Sequence, residues 1–254
     1  MTARRRCGPR TFVGLDLETT GVDPRVDTII EIGASRYTDG ELVDEFVTFV
    51  DPLCEVPSDV VYLTGITNED VRGAPTIEKV LPKLREFLGD DPVVAHSAPF
   101  DVAFLDGAAR ESLFEKRDVY DTLALARSLV PRLPSHRLVA LARFFGVEPG
   151  HSHRAADDAR AVAGLFDSLL HLLSSVGTRP LTRLFALAPS PLRELFEEAV
   201  ERNEGKSDPA AVPDFGESEH ELLRYDNVWG ERVERVLREE LVEPDVVGLE
   251  GLFE

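Results

Sequence analysis

The chain has 254 residues, long enough for one large domain or for one medium domain with an appendage. Its apolar fraction of 43% and its charged fraction of 30% are typical of a soluble globular protein. No apolar run reaches the roughly 18 to 20 residues of a membrane helix, and residues 1–10 lack the apolar centre of a secretory signal. We therefore expect a cytoplasmic protein that does not enter a membrane.

The formal net charge of −19 argues against the large basic face that usually grips nucleic acid. It does not exclude contact with a phosphate, because divalent cations held by carboxylates can meet one without a basic patch. Acidity that only improves solvation is the alternative explanation. Cys7 and Cys54 have no metal-binding or redox spacing, which indicates free thiols.

Alternating and helical apolar patterns predict an ordered series of elements along the first two thirds of the chain. Three strands come first, with Asp39-Gly40 as a hairpin turn signal between the second and third. Helices and short strands then alternate. The predicted strands are 11–17, 28–37, 42–50, 92–96 and 118–122, and the predicted helices are 58–63, 76–88, 99–110, 123–130, 136–145 and 154–174. This order predicts an α/β domain with a mixed sheet.

The composition changes after Gly177, where acidic residues begin to outnumber basic ones strongly. We predict a flexible basic leader over residues 1–10, one domain over 11–177 and an acidic helical appendage over 178–254. Within the appendage, a linker near 203–219 separates amphipathic helices predicted near 191–202 and 229–241.

Two carboxylates interrupt the first predicted strand. Side chains alternate on a strand, so Gly14, Asp16 and Glu18 share one face. The two acids lie about 7 Å apart by strand rise, close enough to share a pair of cations, and Gly14 leaves room beside them. An ordinary strand with polar residues facing water explains this pattern equally well.

Two later segments carry further candidate groups. Asp101 stands near the start of a helix that follows a buried strand, which is where sites form in open α/β sheets. His153 and Asp158 stand at the start of another helix, among small alanines. Taken singly, Asp101 is also explained as an acid favoured by the helix dipole, and Asp158 as a solvated surface residue.

Together these segments resemble the DEDD 3′–5′ exonucleases, in the subgroup with histidine that includes the proofreading epsilon subunit of bacterial DNA polymerase III. The matching segments are "DLETTG", "YLTGIT", "APFDVAFL" and "HRAADDA", in that order and over roughly residues 10–172. Ser97 departs from the pattern, since many relatives have Asn there. This departure affects a supporting hydrogen bond and does not affect the expected chemistry.

The resemblance implies a ribonuclease-H-like fold, with a mixed five-stranded sheet flanked by helices, and a mechanism with two Mg²⁺ or Mn²⁺ ions. Asp16 would bind both metals, Glu18 and Asp158 one each, and Asp101 would act partly through water. His153 would take a proton from the attacking water. His151 is the alternative to His153, and Asp157 is the alternative to Asp158. The spacing of the family motif favours His153 and Asp158. Without metal, the crowded carboxylates should have raised pKa values.

The resemblance also implies where the substrate lies. The backbone around Thr19 and Thr20 would meet the terminal nucleotide, and Leu63 and Phe104 would contact the last bases unless they are core residues. The expected substrate is a single-stranded or frayed DNA 3′ end, in proofreading or repair. An RNA exonuclease of the RNase T or oligoribonuclease type and an inactive nucleic-acid-binding scaffold are the alternatives. Residues 178–254 would dock a DNA polymerase or its sliding clamp, or fold back as a helical cap.

Overall fold

The structure is a computed structural model and describes residues 7–131, 133–148, 153–175, 188 and 190–203. The basic leader up to residue 6 lies outside the described residues. The same holds for the predicted linker beyond residue 203 and for the predicted helix near 229–241.

Within the described residues the chain forms five strands and eight helices. The strands are β1 (Thr11–Thr19), β2 (Ile29–Thr38), β3 (Glu41–Phe49), β4 (Val93–Ala95) and β5 (Val119–Asp121). The helices are α1 (Ser58–Thr64), α2 (Asn68–Val71), α3 (Ile77–Leu88), α4 (Ala98–Ala109), α5 (Thr122–Leu129), α6 (Leu138–Phe144), α7 (Ala155–Leu173) and α8 (Leu192–Asn203). Every strand and helix predicted inside the described residues overlaps an observed one. Helix α2 was missed because its four residues are too few to show a period.

The five strands form one mixed sheet in the order β3-β2-β1-β4-β5. β2 pairs antiparallel with β1 and β3, whereas β4 pairs parallel with β1 and β5. The turn between β2 and β3 has positive φ at Asp39 (53°) and Gly40 (88°), as a two-residue hairpin turn requires. The predicted α/β fold with a five-stranded mixed sheet is therefore confirmed.

The chain divides into two compact units. The described residues of the sheet unit lie within Arg10–Asp121 and Glu148–Gly164, and those of the helical unit lie within Met1–Pro9, Thr122–Val147 and Leu165–Glu254. All five predicted catalytic residues belong to the sheet unit. A single domain over residues 11–177 stays a prediction.

One face of β1 lies in the main core of the sheet unit. Val13, Leu15 and Leu17 are buried there, in a cluster with apolar side chains of α3 and α4. Helix α3 supplies four of these at helical spacing: Val80, Leu81, Leu84 and Leu88. This packing leaves the opposite face of β1 to carry Gly14, Asp16 and Glu18.

The start of α7 covers that opposite face. A Cβ atom added at Gly14 would lie 2.4 Å from the carbonyl oxygen of Ala159, and one added at Gly33 on β2 would lie 2.0 Å from that of Ala155. Glycine at both positions therefore lets the helix backbone approach the sheet. The expectation that Gly14 leaves an open space beside the acids was wrong, because α7 fills that space.

The helical unit holds α5, α6, α8 and the second half of α7. The backbone N–H of Gly8 donates to the Glu198 carboxylate on α8 (2.8 Å), and that of Cys7 donates to the Ser174 hydroxyl (3.2 Å). Cys7 is buried and Cys54 exposed, and within the described residues neither forms a disulfide. Among the described helices, none is both long and apolar enough to cross a membrane.

Candidate active site

The first two candidate residues are set by the register of β1 against β2. Asp16 lies opposite Gly33, and Glu18 lies opposite Glu31. The register shifts between Glu18 and Thr19, an irregularity of the kind that re-aims side chains next to active sites. Asp16 and Glu18 are both half-buried on the face that α7 covers.

Helix α4 brings Asp101 to this region. The chain enters α4 through Ser97, whose φ of 67° is left-handed, and the backbone N–H of Ser97 donates to the Asp121 carboxylate at the end of β5 (2.9 Å). Asp101 lies in the first turn of α4 and is 4% exposed. Although burial raises the pKa of Asp101, the backbone of Leu17 on β1 acts to lower it, so this acid lies close to β1.

The start of α7 supplies the remaining two residues. His153 is exposed and has a left-handed φ of 66°, and its backbone N–H donates to the Asp158 carboxylate (2.8 Å). Ligand atoms of Glu18, His153 and Asp158 all lie within 4.8 Å of one another. The neighbouring Asp157 pairs instead with Arg160 (3.1 Å). The competing His151 lies outside the described residues.

Burial and mutual repulsion raise the pKa values of the four carboxyl groups. Burial is the largest cause for Asp16, whose pKa is well above its ordinary value, followed by the charges of Asp101, Asp158 and Glu18. The pKa of Glu18 rises from 4.5 to about 8, because of burial first and the charges of Asp158 and Glu31 next, while Arg154 opposes the shift.

The other two carboxyl groups shift in the same direction. Burial raises the pKa of Asp101 well above its ordinary value, against the lowering effect of its backbone hydrogen bonds. Burial also raises the pKa of Asp158, and the hydrogen bond from the His153 N–H opposes it. The raised pKa values expected from crowding are present, with burial as the larger cause.

The four carboxyl groups of the site suit a hard divalent cation. Carboxylate oxygens are the ligands that Mg²⁺ and Mn²⁺ prefer, and positive charge among these acids would remove the repulsion that raises their pKa values. The described residues therefore contain a possible acidic metal-binding group, as the sequence predicted.

The predicted substrate contacts lie in different environments. Thr19 and Thr20 are 9% and 7% exposed, and their hydroxyl groups hydrogen-bond to the Gly21 carbonyl and the Asp27 carboxylate. Phe104 is 3% exposed and packs against Phe100, with ring centroids 4.7 Å apart, so its burial favours the core role. Leu63 is 57% exposed, which leaves it open to a ligand.

Three residues that contact the segments of the site were not singled out from the sequence: Glu31, Gly33 and Asp121. Glu31 is 1% exposed and hydrogen-bonds to Arg154 and to the backbone N–H of Ala155. A lone acid inside the apolar run "TIIEIGA" was an available signal, because a charged residue is almost never fully buried unless it is paired. The roles of Gly33 and Asp121 depend on contacts between distant segments.

Comparison with known proteins decides the family. The family model for exonucleases, RNase_T, matches residues 13–166, which is more than half of the chain. The chain belongs to the exonuclease family. The resemblance that the motifs indicated is thereby confirmed, and the chain is a nuclease and hydrolase by family.

Similar proteins agree with this assignment. The chain is 45% identical over 157 residues to the PolC-type DNA polymerase III of Clostridium perfringens, a match covering 60% of this chain and 11% of the polymerase. It is 42% identical over 191 residues to a Mycobacterium tuberculosis protein named as a bifunctional exonuclease/endonuclease, covering 71% of this chain and 30% of that protein. Both relatives are thus much longer than the matched segment.

A solved structure shows the same fold. Exonuclease X, in complex with 5′ overhanging duplex DNA, superimposes with a TM-score of 0.54 at 28% identity, covering 63% of this chain and 90% of that one.

Proposed function

We propose that this exonuclease removes nucleotides from the 3′ end of DNA and that it depends on divalent cations. The observation that carries the proposal is the convergence of Glu18, His153 and Asp158, whose ligand atoms lie within 4.8 Å of one another. Besides burial, the charges of Asp158 and Glu18 raise the pKa of Asp16, and the charge of Glu18 raises the pKa of Asp101. Four carboxyl groups and one imidazole form the donor set expected of a metal-assisted phosphodiesterase.

The four carboxylates are the proposed cation ligands: Asp16, Glu18, Asp101 and Asp158. Mg²⁺ or Mn²⁺ bound there would offset the charge that develops on the scissile phosphate. The carboxylates would hold these cations beside β1, and the positive charge of the cations would orient the phosphate. They also explain how a chain with a net charge of −19 can act on a polyanion.

His153 is the proposed general base. Its side chain is exposed, so the imidazole can accept a proton from an attacking water and release it to solvent. Its backbone hydrogen bond to Asp158 ties the base to a proposed ligand. A shift of the α7 start would therefore displace both groups together.

The DNA substrate and the biological role are proposed from the relatives. Exonuclease X is described in complex with 5′ overhanging duplex DNA, and one relative is named a DNA polymerase III, which together favour a DNA 3′ end and proofreading. The Mycobacterium tuberculosis relative, named for exonuclease and endonuclease functions, favours a repair nuclease as the second role. Docking of a polymerase or its sliding clamp by residues 178–254 is part of the proofreading proposal, and most of that segment lies outside the described residues.

A labelled-substrate assay tests the proposal. Single-stranded DNA and RNA of equal sequence, each labelled at the 5′ end, are incubated with Mg²⁺ or with EDTA. We expect a descending ladder of labelled DNA with Mg²⁺ and no cleavage with EDTA. Release of the labelled nucleotide in the first step would reveal the opposite polarity, and faster cleavage of RNA would replace the DNA role with an RNA-processing role.

Two adjacent substitutions provide a matched pair in the same assay. Asp158→Asn should lower the rate by roughly 100-fold or more, as removal of a group that acts on transition-state charge does. Asp157→Asn should leave the rate nearly unchanged, because Asp157 pairs with Arg160 on the helix surface. Equal losses in the two variants would contradict the assignment of Asp158.

A further inference from the structure

Glu31 is a buried carboxylate that the proposed mechanism does not use. It is 1% exposed and lies opposite Glu18 in the β1–β2 register. Its oxygens accept hydrogen bonds from Arg154 Nη2 (3.0 Å), from Arg154 Nε (3.3 Å) and from the backbone N–H of Ala155 (3.0 Å). Both carboxylate oxygens are thus directed toward the start of α7.

The position of Glu31 is unfavourable for the acids around it. Its charge raises the pKa values of Asp16, Glu18 and Asp158. A neutral side chain there would relieve this repulsion, so a compensating role is needed to explain the carboxylate. The contacts with Arg154 and Ala155 supply that role, because charge-assisted bonds and the amino end of a helix both favour a carboxylate.

The anchored segment is the one that carries the proposed base. His153, Arg154 and Ala155 are consecutive, and the chain turns through the left-handed φ of His153 directly before Glu31 binds the next two residues. The Ala155 carbonyl also packs closely against Gly33 on β2, and this contact fixes the same segment. Two adjacent sites on β2 therefore determine where α7 begins.

We propose that Glu31 is a positioning residue, which fixes the start of α7 through Arg154 and the Ala155 N–H so that His153 and Asp158 stand beside Glu18. This inference rests on the proposed function of the site. Glu31 holds the segment and contacts neither the substrate nor the reacting atoms. Its length matters as much as its charge, since the carboxylate must reach both the guanidinium group and the helix terminus.

A second ion pair on the same helix provides a matched control. Arg160 lies in the second turn of α7. Its Nε and Nη2 donate to the Glu45 carboxylate of β3, at 2.6 and 2.7 Å. Glu45 also accepts a hydrogen bond from Ser35, and it belongs to none of the proposed catalytic or ligand residues. Changing Glu45 loosens the attachment of α7 to the sheet without touching the helix start.

The experiment compares Glu31→Gln and Glu31→Asp with Glu45→Gln and Glu45→Asp in the 254-residue chain. The Glu31→Asp variant keeps the charge but shortens the reach. We expect both Glu31 variants to lower kcat by about 10-fold or more with KM for DNA changed less than about threefold, as the loss of a group that orients others does. The Glu45 variants should retain near wild-type kcat.

Binding of Mn²⁺ alone, followed by electron paramagnetic resonance, provides a second measurement that needs no turnover. Both Glu31 variants should weaken Mn²⁺ binding by about 10-fold, and the Glu45 variants should not. Wild-type kcat in Glu31→Asp would overturn the positioning role, as would equal losses in the Glu31 and Glu45 variants. An inactive wild-type protein whose Mn²⁺ binding still depends on Glu31 would refute the proposed function and leave the inference standing.

Discussion

Removal of divalent cations should make the stability of this protein fall as the pH rises. The folded protein holds Glu18 with a pKa near 8, against an ordinary value of 4.5, and shifts the pKa values of Asp16, Asp101 and Asp158 in the same direction. Between pH 4.5 and 8 the folded state therefore binds more protons than the unfolded state. Under that condition the free energy of unfolding falls with increasing pH.

The magnitude follows from the size of the shift. One pKa unit corresponds to about 1.4 kcal/mol, so the full shift of Glu18 alone would be worth about 5 kcal/mol. Glu18 is half-buried and solvent screens part of its charge, which reduces the expected loss to about 2 to 4 kcal/mol. This is a large share of the roughly 5 to 15 kcal/mol that stabilises a typical domain.

Urea unfolding followed by circular dichroism, in EDTA at several pH values from 5 to 9, measures this loss. Mg²⁺ at a hundredfold excess over its dissociation constant should restore about 2.7 kcal/mol at the upper end of the range. Asp16→Asn removes a carboxyl group whose own raised pKa contributes to the pH dependence, and should flatten it. Asp157→Asn should flatten it much less, because among the four site carboxyl groups its charge raises the pKa of Asp158 alone. Stability in EDTA that is constant or rising from pH 5 to 8 would refute the reasoning.

Three further predictions test individual contacts. Gly33→Ala should destabilise the protein by about 3 kcal/mol or more and abolish nuclease activity, because its Cβ would lie 2.0 Å from the Ala155 carbonyl oxygen. The control Gly107→Ala in α4, whose Cβ would lie 3.7 Å from the Pro24 carbonyl oxygen, should unfold at an equal or higher urea concentration. Ser97→Asn should raise the free energy of unfolding by about 0.5 to 1 kcal/mol, since Asn adopts the left-handed conformation of this residue more readily; an unchanged urea midpoint would contradict this. Phe104→Leu should cost about 1 to 2 kcal/mol of stability in urea and leave KM for DNA unchanged, and a raised KM with unchanged stability would favour the base-contact role.

Local patterns predicted the elements of this fold because each repeats within a few residues. The alternation along β1 and the helical spacing of Val80, Leu81, Leu84 and Leu88 in α3 both report a buried face directly. Asp16 and Glu18 could be recognised from the sequence for a related reason, since a charged residue in an apolar strand is unusual. Helix α2 has a capping box at Thr67 and Asp70 but no period, and it escaped prediction.

Contacts between distant segments were not predictable in this way. Whether Phe104 lies in the core or meets a base depends on which side of α4 faces the sheet, and both roles require the same apolar residue. Gly14 was read correctly as a small residue beside the acids, but the sequence could not show that α7 occupies the space. The role of Glu31 could be inferred only from the structure, which places it opposite Glu18 in the sheet and in hydrogen-bonding contact with Arg154.

The site thus depends on two attachments that lie outside the proposed ligand set. On the β4 side, the Ser97 N–H bond to Asp121 fixes the turn that precedes Asp101. On the β2 side, Glu31 and Gly33 fix the segment that contains His153 and precedes Asp158. Each attachment joins a helix start to the sheet, while Asp16 and Glu18 are part of the sheet itself. Because the repelling acids would otherwise push these helix starts away from β1, rigid attachment and bound cations are complementary means of holding the same geometry.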